Sequence, residues 1–169
     1  MSAPYSKELQ AKYFLDNMAI ENFVPMHYKI IEKKTGEKSR KLIPIIRNLI
    51  FVRTTPEMIQ SVKKQVTFLQ YLTNSKEGKN MPIVIPNPQM EQFITVCKTL
   101  HERLIYLKPE EINLKKGTPI RVIGGSFNGV EGIFLKIKGS RSRRVVVILQ
   151  GIAAVATAEI EPDFIEIIE

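Results

Sequence analysis

The sequence contains no tryptophan, a single cysteine (Cys97) and two histidines (His27 and His101) in 169 residues. One cysteine cannot form an internal disulfide, and these three side chains do not supply the ligand spacing of a typical zinc site. No apolar run approaches the roughly 18 to 20 residues of a membrane-spanning helix, and residues 1–10 lack the apolar core of a signal peptide. These absences predict a cytoplasmic protein without a metal, a cofactor or a membrane partner.

Catalytic patterns are also missing. There is no paired-carboxylate arrangement, no Ser/His/Asp set and no phosphate-binding glycine loop. His27 could in principle transfer a proton, but no nucleophile or second histidine stands in register with it. We therefore expect a protein that is not an enzyme.

Positive charge is what the chain has in excess, since its net charge is +8. Such a balance favours contact with nucleic acid, an anionic membrane surface or an acidic protein face, and charge alone does not choose among them. Most of the excess lies in residues 1–107.

Three helix starts are recognisable in that first segment. Ser6 is a candidate N-cap for the first helix, and Thr55 followed by Pro56 combines a capping hydroxyl with a ring that presets the first helical φ angle. Asn87 before a proline repeats this signal, and the third helix that it begins would bury Cys97 as a core residue.

Strand-like runs lie between these helices. Residues 22–31, 42–52, 66–72 and 81–85 are rich in β-branched and aromatic side chains, whereas the polar residues 32–41 predict a mobile, basic hairpin loop. The alternation βαββαβα predicts an α+β fold in which helices cover a mostly antiparallel sheet.

A change of character follows residue 107. Residues 108–114 have little periodicity and are predicted to be a linker. Beyond them, short β-rich segments are separated by glycine-containing turns, which predicts a small closed β-barrel. The five predicted strands are residues 120–123, 132–137, 145–149, 155–160 and 164–168.

Residues 115–132, KKGTPIRVIGGSFNGVEG, resemble a KOW motif at the start of an SH3-like barrel. Two of its glycines provide backbone freedom where strands fold back, and Phe127 provides an apolar plug near the turn. KOW barrels occur in ribosomal proteins and in transcription elongation factors, so the motif leaves both functions open. The residues carrying this resemblance are Arg121, Gly125, Phe127, Gly129 and Gly132.

The preceding segments resemble the amino-terminal (NGN) domain of the NusG family. They are residues 5–8 (YSKE), 20–25 (IENFVP) and 44–53 (PIIRNLIFVR). The resemblance implies an NGN-type α/β sandwich over residues 1–107 and a KOW domain over residues 115–169. Arg47-Asn48-Leu49 stands where the family has a Pro-Gly-Tyr or Pro-Asn-Tyr element. In this replacement the chain is similar to specialised paralogues of the RfaH and UpxY type.

The family normally begins with an aromatic-rich strand ahead of the first helix, whereas only residues 1–5 precede the helix here. We expect this strand to be truncated, with the native start upstream and Met1 an internal methionine. The intact mass of the protein from its native source would test this expectation.

The family resemblance implies a transcription elongation or antitermination regulator, operon-specific in action, that binds the clamp helices of the largest RNA polymerase subunit and suppresses pausing or termination. Leu49 and Phe51 share one strand face and become the expected apolar contacts, with Leu49 exposed. The alternative is that both are ordinary core residues, and for Phe51 this is an equal alternative. Arg47, Asn48 and His27 complete the expected polymerase-binding set.

Basic residues are expected to contact DNA or nascent RNA through salt-dependent phosphate interactions, with a solvated surface as the alternative. The resemblance also implies a ribosomal protein or a termination factor as partner of the KOW domain. The alternative function is a ribosome-associated RNA-binding KOW protein. The expected nucleic-acid-binding residues are Lys33, Lys34, Lys38, Arg40, Lys41, Lys63 and Lys64.

Overall fold

The computed structural model describes residues 1–34, 36–76, 78–98, 104–107, 117–137, 141–149, 152–160 and 162–168. The chain divides into two compact units, Met1–Val84 and Ile85–Glu169. The predicted linker 108–114 lies outside the described residues, and the predicted domain boundaries stay a prediction. Within the described ranges, no helix is long and apolar enough to cross a membrane.

Three α-helices occur near the predicted starts: α1 (Glu8–Asn17), α2 (Pro56–Gln65) and α3 (Asn87–Lys98). The predicted cap of α2 is confirmed, because the Thr55 hydroxyl accepts a hydrogen bond of 3.3 Å from the Met58 N–H. The predicted Ser6 cap of α1 is wrong. Ser6 has a left-handed backbone (φ 56°), and Lys7 is the N-cap without a side-chain capping bond.

The first unit contains three separate two-stranded antiparallel sheets, which pair β1 with β4, β2 with β3, and β5 with β6. The antiparallel prediction is therefore confirmed for these pairs, although they do not form one continuous sheet. The strands are β1 (Asn22–Phe23), β2 (Met26–Glu32), β3 (Lys38–Pro44), β4 (Phe51–Val52), β5 (Thr73–Lys76) and β6 (Lys79–Pro82).

Several strand predictions for this unit are corrected. The run 22–31 is interrupted at the buried Val24 and Pro25, and the run 42–52 is interrupted between Pro44 and Phe51. Asn48 in this second gap has a left-handed backbone (φ 62°), which no regular strand accommodates. Residues 66–72 contain an isolated bridge at Gln70 in place of a strand.

Half of the predicted loop 32–41 is strand, namely Glu32 and residues 38–41. β3 begins at Lys38 and pairs with β2 along its whole length, from Glu32↔Lys38 to Met26↔Pro44. Only residues 33–37 connect the two strands. The ladder of backbone hydrogen bonds thus overrides the polar composition of this segment.

Residues 1–3 lie at the centre of the first unit. Ser2 forms antiparallel bridges with both Leu49 and Gln70, and its N–H donates to the Gln70 carbonyl at 2.7 Å. The Ala3 N–H donates to the Asn48 carbonyl at 2.8 Å. The apolar core around this segment contains Ala3, Ala11, Leu15, Val24, Ile50, Ile59, Val62, Val66 and Leu69.

Met1 continues these contacts. Its nitrogen donates to the Ile50 carbonyl at 2.9 Å, and the Ile50 N–H donates to the Met1 carbonyl at 3.1 Å.

The second unit contains a six-stranded antiparallel sheet in the order β12-β8-β9-β10-β11-β7. The five predicted strands are confirmed, each within two residues of its expected bounds, whereas β7 was not predicted. Among the described residues, the edge strands β12 and β7 do not pair with each other, so the predicted closed barrel is not formed there. The strands are β7 (Ile105–Leu107), β8 (Thr118–Val122), β9 (Glu131–Lys136), β10 (Arg143–Leu149), β11 (Ala153–Glu159) and β12 (Ile165–Ile167).

Helix α3 packs against β10 and β11 within this second unit. It buries Phe93, Val96 and Cys97, which confirms the predicted core position of the cysteine, and burial raises the pKa of its thiol to about 12. The Gln92 amide also holds a turn of the sheet, since its Oε1 accepts from the Glu131 N–H at 3.1 Å. Its Nε2 donates to the Gly129 carbonyl at 3.4 Å.

Candidate functional site

The loop at Asn48 is held in place by the residues that lead into α1. The Asn48 side-chain Oδ1 accepts from the Ser6 N–H at 2.9 Å, and the Asn48 N–H donates to the buried Glu8 carboxylate at 3.3 Å. Its carbonyl accepts from Ala3, as described above. Asparagine is among the few residues that adopt the left-handed conformation readily, so its chemistry suits this position. Three hydrogen bonds thus fix the backbone and side chain of Asn48.

The residues predicted to bind polymerase are divided between surface and interior. Arg47, Asn48 and His27 are exposed. Leu49 and Phe51 are buried, with 3% and 8% of their surfaces accessible.

The exposure expected of Leu49 is therefore wrong. Its backbone forms a bridge with Ser2, so it occupies an inner position of the first unit and not an open strand edge. For Phe51, the core alternative is confirmed: the residue pairs with Phe23, and their ring centroids lie 6.5 Å apart. The sequence carried no signal for the burial of Leu49, because the segment covering its backbone is the brief residues 1–3.

The predicted basic residues are gathered mainly on the hairpin formed by β2 and β3. Lys33 and Lys34 lie in its connection, and Lys38, Arg40 and Lys41 lie in β3; all five are exposed. The hairpin is a sheet of its own, and side chains on both of its faces reach solvent. It therefore offers cations to a partner from either face.

Lys63 and Lys64 lie apart from this hairpin in sequence, in the last turn of α2. The Lys63 ammonium is 4.1 Å from the centroid of the Tyr71 ring, whose hydroxyl also accepts from Gln60 at 3.2 Å. This cation–π contact gives Lys63 a structural role on its own unit. Lys64 is exposed.

Sequence reasoning missed five exposed residues of the hairpin. Four are large apolar side chains on the surface, Tyr28, Ile30, Ile31 and Leu42, and Lys29 is a further cation. The alternation of residues 26–32 carried a signal for a two-faced strand, but the partner strand had been interpreted as a loop.

The KOW-like residues form a tight turn between β8 and β9. Phe127 is buried, in agreement with the predicted plug, and Gly125 and Gly129 have positive φ angles of 63° and 81°. The Asn128 Oδ1 accepts from the Gly124 N–H at 2.7 Å and closes the turn. Gly132 follows at the point where β9 approaches β10, and a Cβ there would lie 2.6 Å from the Val146 carbonyl oxygen.

Arg121 connects three neighbouring strands on the surface of this unit. Its guanidinium donates to Glu131 of β9 at 2.7 Å and to Glu166 of β12 at 3.5 Å. The hydrogen bond to Glu131 raises the pKa of Arg121. This residue thus has structural partners in its own sheet.

No group of three His, Cys, Asp or Glu side chains that could hold a metal ion occurs in the part of the chain that the structure describes.

A comparison with protein families supplies the assignment. The model of the family described as NusG, transcription termination factor nusG, matches residues 2–94, which is more than half of the chain. No curated protein matches the sequence. Proteins of this family are non-enzymatic transcription factors that interact with RNA polymerase and nucleic acid and act in termination or antitermination. The chain therefore belongs to the NusG family.

Proposed function

We propose that this protein is an operon-specific elongation and antitermination regulator that binds the clamp helices of the largest RNA polymerase subunit and suppresses pausing or termination. The observation that carries this proposal is the family match over residues 2–94, which includes nearly all of the first compact unit. Because the match lies entirely outside the KOW-like segment, residues 115–132, it favours transcription over the ribosome-associated alternative.

The exposed loop at Arg47 and Asn48 is the proposed polymerase contact of the first unit. Its backbone is fixed by hydrogen bonds to residues 3–8, so little conformational entropy is lost when a partner binds. Arg47 adds a planar, permanently charged donor group, a side-chain type enriched at protein interfaces. Leu49 and Phe51 are buried and are not part of this proposed contact.

The β2–β3 hairpin is the proposed nucleic-acid contact. Residues 26–44 contain six lysine or arginine residues against two glutamates, a local charge of +4. An exposed two-stranded element with this charge can approach a phosphate backbone, and its contribution to affinity should weaken as salt is added.

Residues 115–169 are the proposed KOW domain, with a ribosomal protein or a termination factor as its partner. Its support is the glycine-rich turn between β8 and β9 and the five strands that follow the expected order.

Arg47→Glu should raise the concentration of protein that produces half of its maximal effect on pausing. Reversal of an exposed charge inside an interface juxtaposes unfavourable charges, and we expect a loss of affinity of at least about tenfold. The measurement is the pause half-life of purified RNA polymerase on a template with a defined pause site.

The matched control is Lys79→Glu, an equal charge reversal at an exposed position of β6. This variant should shorten pauses as the wild-type protein does. An equal loss of the effect on pausing in both variants would show that net charge causes the loss. Full activity of Arg47→Glu would exclude the loop as the contact. Longer pauses with the wild-type protein would contradict the proposed suppression of pausing.

A further inference from the structure

The register of the β2–β3 hairpin assigns its side chains to two faces, because directly opposed residues of an antiparallel pair point to the same side. Each face is named after one of its residues. The Tyr28 face contains Met26, Tyr28, Ile30, Glu32, Lys38, Arg40, Leu42 and Pro44, and the Lys29 face contains His27, Lys29, Ile31, Ser39, Lys41 and Ile43.

Charges on the Tyr28 face have partners within the hairpin. Lys38 lies directly opposite Glu32, and the Arg40 guanidinium is 4.1 Å from the centroid of the Tyr28 ring. In the connection between the strands, Lys33 forms an ion pair of 2.8 Å with Glu37. These cations are therefore balanced or stacked without a further ligand.

The Lys29 face differs from the Tyr28 face in its charges. Lys29 lies directly across from Lys41, both are exposed, and none of the six residues of this face is a carboxylate. Like charges at opposed positions destabilise a strand pair, and here the backbone ladder of seven paired positions holds them together. A bound polyanion would convert this repulsion into attraction for both ammonium groups at once.

We propose that the Lys29 face binds the phosphate backbone of double-stranded DNA. The face has no Phe, Tyr or Trp, and His27 at one end is the one ring on it against which an unpaired base could stack. It therefore lacks the row of aromatic side chains by which proteins hold single strands. A two-stranded ribbon is also an element that the major groove of B-DNA admits. This inference rests on the proposed function, because duplex DNA is one of the polyanions that a polymerase-bound protein meets.

The sequence neighbours of the pair therefore have different roles. Lys41 contacts phosphate, whereas the adjacent Arg40 points to the other side and stacks on Tyr28. Lys29, which lies outside the basic cluster recognised in the sequence, becomes a principal DNA-binding residue. His27 and Ser39 extend the face with polar groups.

The test is fluorescence anisotropy with a labelled duplex of random sequence, titrated at salt concentrations from about 50 to 200 mM. The double variant Lys29→Gln/Lys41→Gln should lower the slope of log affinity against log salt by about 1.8, because each lost phosphate contact removes about 0.9. Its affinity at the lowest salt should fall by at least about tenfold, and Lys29→Gln alone should remove about half of the slope change. Thermal unfolding of each variant verifies that the hairpin substitutions leave the fold intact.

The matched control is Lys38→Gln/Arg40→Gln, which removes the same charge from the Tyr28 face. It should change the slope by less than half as much as the Lys29/Lys41 variant. Equal losses in the two variants, an unchanged slope in the Lys29/Lys41 variant, or no duplex binding by the wild-type protein would overturn the inference. Tighter binding to the matching single strand would overturn its duplex preference.

A parallel pause assay separates this inference from the proposed function. Wild-type protein that binds duplex through the Lys29 face but leaves pausing unchanged would refute the proposed function and retain the DNA site. Wild-type protein that shortens pauses while the Lys29/Lys41 variant binds duplex normally would refute the site and retain the function.

Discussion

Leu49→Glu should lower the free energy of unfolding of the protein by about 4 kcal/mol or more, because it places an ionisable carboxyl group at a position that is 3% exposed. The group must either lose its hydration or bind a proton, and both changes oppose folding. Urea unfolding monitored by circular dichroism, together with limited proteolysis, measures the loss.

Arg47→Glu is the matched control for this substitution. It introduces the same side chain two residues away at an exposed position, and its effect on stability should be within about 0.5 kcal/mol. A Leu49→Glu variant with wild-type stability would contradict the buried position. It would also restore the interpretation in which Leu49 is an exposed polymerase contact.

Gly132→Ala should destabilise the second unit by about 3 kcal/mol. The added Cβ would lie 2.6 Å from the Val146 carbonyl oxygen and 2.9 Å from Cγ1 of Val145, and the first of these atoms belongs to the backbone of β10. A backbone atom cannot rotate away as a side chain can, so β9 and β10 would have to separate. Thermal unfolding monitored by near-ultraviolet circular dichroism measures the effect.

Gly125→Ala is the control that measures the loss of stability when a glycine is replaced without such a close approach. Gly125 has a φ angle of 63° with no atom within 4 Å of the added Cβ, so its substitution should cost only about 1 kcal/mol of left-handed backbone strain. Equal losses of stability at the two glycines would show that the close approach of β9 to β10 does not determine the effect of Gly132→Ala.

Helix starts and glycine turns could be predicted from the sequence because they depend on interactions between residues close together in the chain. Thr55 and Pro56 begin α2 because a capping hydroxyl and a preset φ angle act within one helical turn. The glycine turns of the second unit separate strands whose composition already favours β structure. By contrast, β3 is polar from Lys38 to Lys41 and becomes a strand only through its pairing with β2.

The candidate site shows the same limit. The basic residues were predictable from composition, but their division between the two hairpin faces depends on register. A register shift of one residue would transfer Arg40 to the other face and reverse the roles proposed for Arg40 and Lys41. The burial of Leu49 was likewise unpredictable, since it depends on a bridge to Ser2, a residue distant in sequence.

The most direct test of the central claim is a quantitative pull-down from native cell extract with the full chain as bait. We expect the largest RNA polymerase subunit to be enriched by the wild-type protein and the Lys79→Glu variant, and to be depleted with Arg47→Glu. Enrichment of ribosomal subunits without RNA polymerase would contradict the account.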